Sequence, residues 1–355
     1  MRDEIDAAVL ECLAGGHYIL GERLATFEKA FADYLRVPYA VGVANGTDAI
    51  RLALEALEVP RGSDVLTAPN SAIPTAMAIA DTGCCPIFAD IDPQSWNLDP
   101  AKLDTALTTK TAAIVPVHLY GRPASMEAIA DFASRKGIAV IEDCAQAHGA
   151  AIDGKMVGGF GQAAAFSFYP SKNLGAMGDA GMVVTANEKT AERLRRLRHY
   201  GQTDRYRADE CGINSRLDDL QAAILSVKLR HLPSWTDKRR EIAARYDDAF
   251  AALPLALPVE GSATCCVYHL YVVRTPDRDA LAEHLGSRDI STQVHYPVPL
   301  HRQPAFAELG YRSGSFPEAE THAAEVLSLP LFPEMAESEV ERVIDGVRSF
   351  FQGKS

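Results

Sequence analysis

The sequence predicts an α/β protein in two parts: a large domain over residues 1–240 built on a mostly parallel, seven-stranded sheet, and a smaller C-terminal α/β domain over residues 241–355. Three observations lead there. From residue 39 to 185 short apolar runs alternate with helix-patterned segments, the arrangement that buries a parallel sheet between helices. Within the intervening segments apolar residues recur at helical spacing. Near Asn214 the pattern gives way to a long charged stretch, and after a Leu253–Pro258 linker new strand and helix patterns begin.

Taken in order, Leu24, Phe27, Phe31 and Tyr34 share one face of a helix ahead of the sheet. The strand runs are Tyr39 to Val43, Val65 to Thr67, Pro86 to Ala89, Ala112 to Val117, Ile138 to Glu142, Ala163 to Phe168 and Gly181 to Thr185. Between the first two, Ile50, Ala53, Leu54 and Leu57 fall on one helix face. Leu217, Leu220, Ile224 and Val227 mark a helix that continues through TDKRREIAARY to about Phe250, with Ser215 placed to cap it. The smaller domain opens with a strand over Val267 to Arg274 and a helix over Ala280 to Leu285.

Composition narrows the class. With 355 residues, 47% of them hydrophobic and 23% charged, the chain can bury a sizeable core and is unlike disordered or fibrous sequences. No apolar run is long enough to span a membrane, and the acidic N-terminus lacks the basic, apolar pattern of a secretion signal, so a cytoplasmic protein is expected. A net charge of −12 repels polyanions, which argues against nucleic-acid and anionic membrane partners. Any anionic ligand then needs a local device. The seven cysteines include the vicinal pairs Cys84-Cys85 and Cys265-Cys266, which suit neither metal spacing nor a disulfide framework and read as free thiols. Walker, GxGxxG, HExxH and GxSxG motifs are absent, and no metal site is expected.

Three segments carry candidate chemistry. Asn45-Gly46-Thr47-Asp48 lies between a strand and an amphipathic helix, where free backbone N–H groups and the helix dipole favour a phosphate. Asp143 ends the strand IAVIE at its carboxyl edge, where open α/β sheets bind ligands, and Gln146 and His148 follow it. Lys172 lies in AAAFSFYPSKNLGAMGDAG, held by a strand, a Tyr-Pro turn and a glycine-rich loop, and Ser167 points away from Phe166 and Phe168. Such a setting can desolvate a lysine enough for Schiff-base chemistry. Singly, these segments read equally well as a turn, an N-cap and a solvated charge. Together they supply what pyridoxal 5'-phosphate requires: an amine for its aldehyde, a carboxylate for its ring nitrogen and a cradle for its phosphate.

The order of cradle, aspartate and lysine is that of fold-type I pyridoxal phosphate enzymes, and the sequence resembles the DegT/StrS-type sugar aminotransferases over nearly its whole length. The matching blocks are GERLATFEKAFADYL, AVGVANGTDAIRLAL, PVHLYGRPA, VIEDCAQAHGA, FSFYPSKNLGAMGDAG, GINSRLDDLQAAIL, VYHLYVVR and HYPVPLHRQPAF. The resemblance implies that Lys172 joins the cofactor aldehyde and that Asp143 pairs with the ring nitrogen. It also implies that Gln146 packs near the phenolic oxygen, and that Gly46, Thr47 and Ser167 hold the phosphate. Asn214 is implied to reach the phosphate from a neighbouring subunit, which makes the protein a homodimer with shared active sites.

The resemblance extends to the substrates. It implies transamination from a donor, L-glutamate by analogy, to a nucleotide-diphosphate-linked 3-keto sugar, with amination at C4 or of a cyclitol ketone, or a non-catalytic regulatory role, as alternatives. In that branch Tyr169, His295 and Tyr296 lie near the sugar, and Arg205 stands where relatives have a basic residue for the sugar or its diphosphate. His118 and His199 read as supporting or packing residues. One departure stands out: where the family commonly has an aromatic that stacks on the cofactor, this chain has Ala72.

Overall fold

The structure, a computed structural model, describes residues 1–353; the last two residues of the expected C-terminal domain, 354 and 355, lie outside the described residues. Seven strands form the main sheet: β1 Tyr39–Val43, β2 Asp64–Thr67, β3 Cys85–Phe88, β4 Thr111–Val115, β5 Ala139–Asp143, β6 Ala163–Ser167 and β7 Gly181–Thr185. Their spatial order is β1-β7-β6-β5-β4-β2-β3. All neighbours pair in parallel except where β7 enters between β1 and β6 and runs against both. The mostly parallel seven-stranded sheet read from the apolar runs is therefore present, with strand ends displaced by a residue or two.

Helices cover both faces, which is why the strands read as continuous apolar runs. On one face lie α3 (Gly46–Ala56), α4 (Ile73–Asp81) and α6 (Glu188–Leu197); Ile50, Leu54 and Leu194 pack there against Val41, Val43, Ala165 and Val183. The other face takes α2 (Glu22–Leu35), where Phe27 and Phe31 meet Phe166, Phe168 and Met182. Successive residues of β6 alternate between these two cores, as the two-residue period of a strand requires. In front of α2 stands α1 (Arg2–Gly15), and α5 (Met126–Lys136) crosses between β4 and β5.

A single helix, α7 (Asp219–Phe250), links this core to the next. Leu225, Leu229 and Leu232 belong to the core under α2, whereas Ile242, Ala243, Tyr246 and Phe250 belong to a C-terminal core. That second core also includes Tyr271 and Val273 of β8 (Tyr271–Arg274), Leu285 of α8 (Arg278–Gly286), Leu327 of β9 (Val326–Leu329) and Val343 of α10 (Glu337–Gln352). Residue 240 lies within α7, and Pro233 is accommodated inside it.

Two local expectations are corrected. Ser215 does not cap α7: the helix starts four residues later, and the buried Ser215 hydroxyl instead accepts the Ala44 N–H at 3.0 Å, tying the segment before α7 to the end of β1. The strand expected from Val267 begins only at Tyr271, because the Val267 N–H turns back to the Gly121 carbonyl at 2.9 Å. All seven cysteines are free, and among the described residues no helix is long and apolar enough to cross a membrane.

Candidate active site

Asn45 is the N-cap of α3, its side-chain oxygen accepting the Asp48 N–H at 2.8 Å. First-turn N–H groups have no intrahelical partner, so those of Gly46 and Thr47 remain available at the helix end. That end is pressed against β6, and a Cβ on Gly46 would lie 2.6 Å from the Ser167 Cβ. Gly181 of β7 meets the Asn45 carbonyl in the same way, leaving no room for a side chain. Two glycines thus let bare backbone amides and the Ser167 hydroxyl converge, as a phosphate site requires.

Asp143 ends β5. Its Oδ1 accepts the Ala145 N–H at 3.1 Å, and its Oδ2 accepts the Thr75 hydroxyl at 2.8 Å. Burial pushes its pKa up, while the Ala145 and Thr75 bonds and the Lys172 charge oppose that rise. Glu142 faces the other side of the strand, where its carboxylate accepts N–H groups of Gly158, Phe160 and Gly161 and bonds His118 at 3.1 Å. Burial works against the Glu142 charge, but these donors outweigh it and hold the pKa below the usual value. Since His118 Nδ1 accepts the Ala124 N–H at 3.0 Å, Nε2 carries the proton given to Glu142. His118 is thus the buried supporting residue expected, and His199 accepts a bond from Arg216 outside the cavity.

Lys172 sits in the loop that returns from β6 to the antiparallel β7. Backbone bonds from Lys172 to Tyr169 and from Ala176 to Phe168, both 2.8 Å, close the turn. The adjacent Asn173 is buried and anchored twice, donating to the Val267 carbonyl at 3.0 Å and meeting His269 Nδ1 at 3.1 Å. Burial lowers the Lys172 pKa, with the Asp143 carboxylate pulling the other way. The lysine is thus positioned from both sides and partly desolvated, as its chemistry demands.

These elements enclose a cavity of about 400 Å³ at the carboxyl edge of the sheet. Gly46, Thr47, Asp143, Gln146, Ser167, Tyr169, Lys172, His295 and Tyr296, all anticipated from the sequence, line it. Gln146 is fixed by the Tyr120 N–H at 2.7 Å and gives its own N–H to the Tyr296 hydroxyl at 3.0 Å. His295 is held at 2.8 Å by Ser328. Asn214 and Arg205 do not line this chain's cavity: Asn214 is exposed beside His199, and Arg205 lies on an exposed hairpin with its guanidinium over Tyr206. Ala72 does line it, with Pro74 next to it and no aromatic ring at that position.

The sequence reading missed Thr75 and His269, both part of the cavity wall. The VYHLYVVR block contains His269, but nothing in its spacing shows that it meets Asn173. A larger cavity, about 760 Å³, lies between α1, α2 and α7, yet neither a lysine nor a residue of the main sheet lines it.

Pyridoxal phosphate fits the smaller cavity. A cradle that a single Cβ would fill stands beside a hydroxyl, and a buried carboxylate and a desolvated lysine share the space beyond it. Together with the sheet order, these features define a pyridoxal phosphate enzyme of fold-type I. More particularly, the chain belongs to the DegT/DnrJ/EryC1/StrS aminotransferase family, whose model matches residues 1–348. It is 46% identical to a pleiotropic regulatory protein of Geobacillus stearothermophilus, over 99% of this chain and 95% of that one. It is 45% identical to the dTDP-3-amino-3,4,6-trideoxy-alpha-D-glucose transaminase of Streptomyces venezuelae, over 99% of this chain and 93% of that one. The crystal structure of S. venezuelae DesV in complex with a ketimine intermediate matches with a TM-score of 0.97 at 45% identity, covering 99% of this chain and 95% of DesV. The Bacillus subtilis protein ntda, solved with bound cofactor PMP, matches with a TM-score of 0.93 at 32% identity, covering 99% of this chain and 82% of that one.

Proposed function

We propose that the protein transfers an amino group from L-glutamate to the ketone of a nucleotide-diphosphate-linked 3-keto (deoxy)sugar. The observation that carries this reading is the placing of Lys172 and Asp143 on one cavity beside an anion cradle, in a chain 45% identical to a transaminase named for a dTDP-3-amino sugar. Bound pyridoxal phosphate supplies an aldehyde that accepts the donor's amine and a ring that holds the electron pair left when the adjacent C–H bond breaks.

The chain's own groups do the rest. The Lys172 amine, its pKa lowered by burial, takes the proton from the donor carbon and returns it on the opposite side of the amine nitrogen. Asp143 retains the proton on the ring nitrogen. Gly46, Thr47 and Ser167 bind the phosphate, and Gln146 packs near the phenolic oxygen. Tyr169, His295 and Tyr296 border the space left for the sugar.

Asn214 and Arg205 serve a second copy in this reading. Asn214 forms a backbone bridge with His199, from which the Arg205 hairpin departs, so one exposed region would deliver both to a partner's cavity. The working form is then a cytoplasmic homodimer. Its chains divide near residue 240 into a cofactor-holding part and a C-terminal part.

Incubation with L-glutamate and a panel of 3-keto and 4-keto dTDP- and UDP-sugars and cyclitol ketones, with NMR of the products, tests the substrate. The expected result is a new amine at C3 of a nucleotide sugar. Amination at C4 or on a cyclitol would overturn the sugar assignment, and a chain that binds the cofactor but aminates nothing would favour the regulatory reading suggested by the Geobacillus relative's name.

A further inference from the structure

We propose that Ser71 and Thr75 form a hydroxyl relay that holds Asp143 ionised and correctly turned toward the cofactor's ring nitrogen, making Thr75 a positioning residue for transamination. The inference rests on the reading above, that Asp143 faces that nitrogen.

The geometry assigns the proton positions. Thr75 Oγ1 donates to Asp143 Oδ2 at 2.8 Å, and Ser71 Oγ lies 3.0 Å from Thr75 Oγ1. An ionised carboxylate only accepts, so the single hydroxyl proton of Thr75 goes to Asp143, and Ser71 must donate to Thr75. Two O–H dipoles in series then end on a charge, each polarising the next. Both residues are shielded from solvent, Ser71 being 3% exposed and Thr75 1%. Thr75 is also in the first turn of α4, whose positive dipole end lies at the same carboxylate.

Asp143 needs a support of this kind. Burial favours its neutral form, which could not keep the ring nitrogen protonated. The charged or titratable groups facing it are Lys172, His118 and Tyr296, with Glu142 and Cys144 on either side of it in the chain, the Cys144 thiol being pushed well up by burial. Burial and the Asp143 charge keep the Tyr296 phenol neutral, raised to about 12 despite the bond from Gln146. The His118 proton is already committed to Glu142. Lys172 changes its charge as it gains and loses protons during turnover. Of the attractive contacts, only the Ala145 N–H and the Thr75 hydroxyl remain constant through the cycle. Backbone cannot be varied by selection, so Thr75 is the side chain through which the Asp143 charge is set.

The test uses holoenzyme carrying pyridoxal phosphate labelled with ¹⁵N in the ring, comparing the wild type with Thr75→Val, Thr75→Ser and Ser71→Ala. In Thr75→Val the ring nitrogen is expected to lose its proton about one pH unit or more lower than in the wild type, the size of a lost bond to a charged group. The kcat of the glutamate half-reaction should fall roughly tenfold to a hundredfold with little change in KM. Thr75→Ser should restore both, and Ser71→Ala should shift the titration in the same direction but less. A wild-type nitrogen titration in Thr75→Val overturns the proposal. If that variant does not fold, a Ser71→Ala titration identical to wild type overturns it equally. Asp143→Asn separates the two levels: an unchanged titration there removes Asp143 from the ring nitrogen, and the relay with it. None of these measurements requires a sugar, so failure of the substrate assignment leaves the test intact.

Discussion

A methyl group added at Gly46 would lie 2.6 Å from the Ser167 Cβ, closer than two carbon atoms tolerate. The contact joins the start of α3 to the end of β6, so relief would have to come from moving the helix end whose amides form the anion cradle. Overpacking of this sort costs about 1–3 kcal/mol, and because both atoms belong to the fold the apoprotein bears that cost as well as the bound state. Gly46→Ala should therefore lower the melting temperature of the apoprotein and, by moving the helix end, weaken pyridoxal phosphate binding about tenfold or more, measured by titrating the folded apoprotein. Wild-type affinity in Gly46→Ala would remove this helix end from the phosphate site. Ala72 presents the opposite case, a small side chain that leaves space on the cavity wall beside Pro74.

Among the elements, α9 (Pro317–Glu325) brings a histidine into the core. His322 is fully buried, stacked at 6.0 Å on Tyr120 and tilted at 5.3 Å to Trp96, and neither ring nitrogen has a hydrogen-bond partner among the described residues. Burial, helped by the nearby Arg274 and Arg122 charges, lowers its pKa to about 3. The unfolded chain binds this proton near pH 6.5, and the folded one does not until about pH 3, so folding stability is complete above pH 6.5 and is lost as the pH falls toward 3. The slope is about 1.4 kcal/mol per pH unit for one such group. His322→Phe, which keeps a ring in the stack, should flatten the acid limb of a melting-temperature profile between pH 6 and 4. An unchanged acid limb would show that His322 is not buried in its neutral form.

The strands were the most legible elements. β1 and β7 match their apolar runs end to end, because strands buried on both faces leave a continuous apolar signature. α7 was legible in extent but not at its start, since Ser215 has cap chemistry and spends it on the Ala44 N–H instead. In the site, Lys172, Asp143, Gly46 and Ser167 stood out through their places at strand ends and helix starts. Thr75 and His269 did not: a threonine in a helical turn and a histidine in an apolar strand run look ordinary until tertiary folding brings Asp143 and Asn173 against them.

At the scale of the whole molecule, the decisive property is the number of chains needed for one site. Lys172 lines this chain's own cavity and Asn214 does not. If Asn214 completes a partner's site, Lys172→Ala and Asn214→Ala homodimers each carry two damaged sites, but a mixed dimer carries one site with both residues intact. Mixing the two variants under conditions that exchange subunits should therefore yield more activity than the sum of the separate preparations. Activity that merely averages the two would place Asn214 in a structural role within its own chain.

The single reversed strand in the sheet has a consequence for how the protein is made. β7 is the last strand of the sheet in sequence and lies second in space, between the first strand and the one that leads into the lysine loop. Asp143, Lys172 and the α3 amides all precede it along the chain, but Gly181 is the residue that seats Asn45 and fixes the far end of the lysine loop. A ribosome can therefore release most of the site's chemistry without releasing a site. The cavity is complete only after β7 has closed the seam and the later residues His269, His295 and Tyr296 have folded onto it.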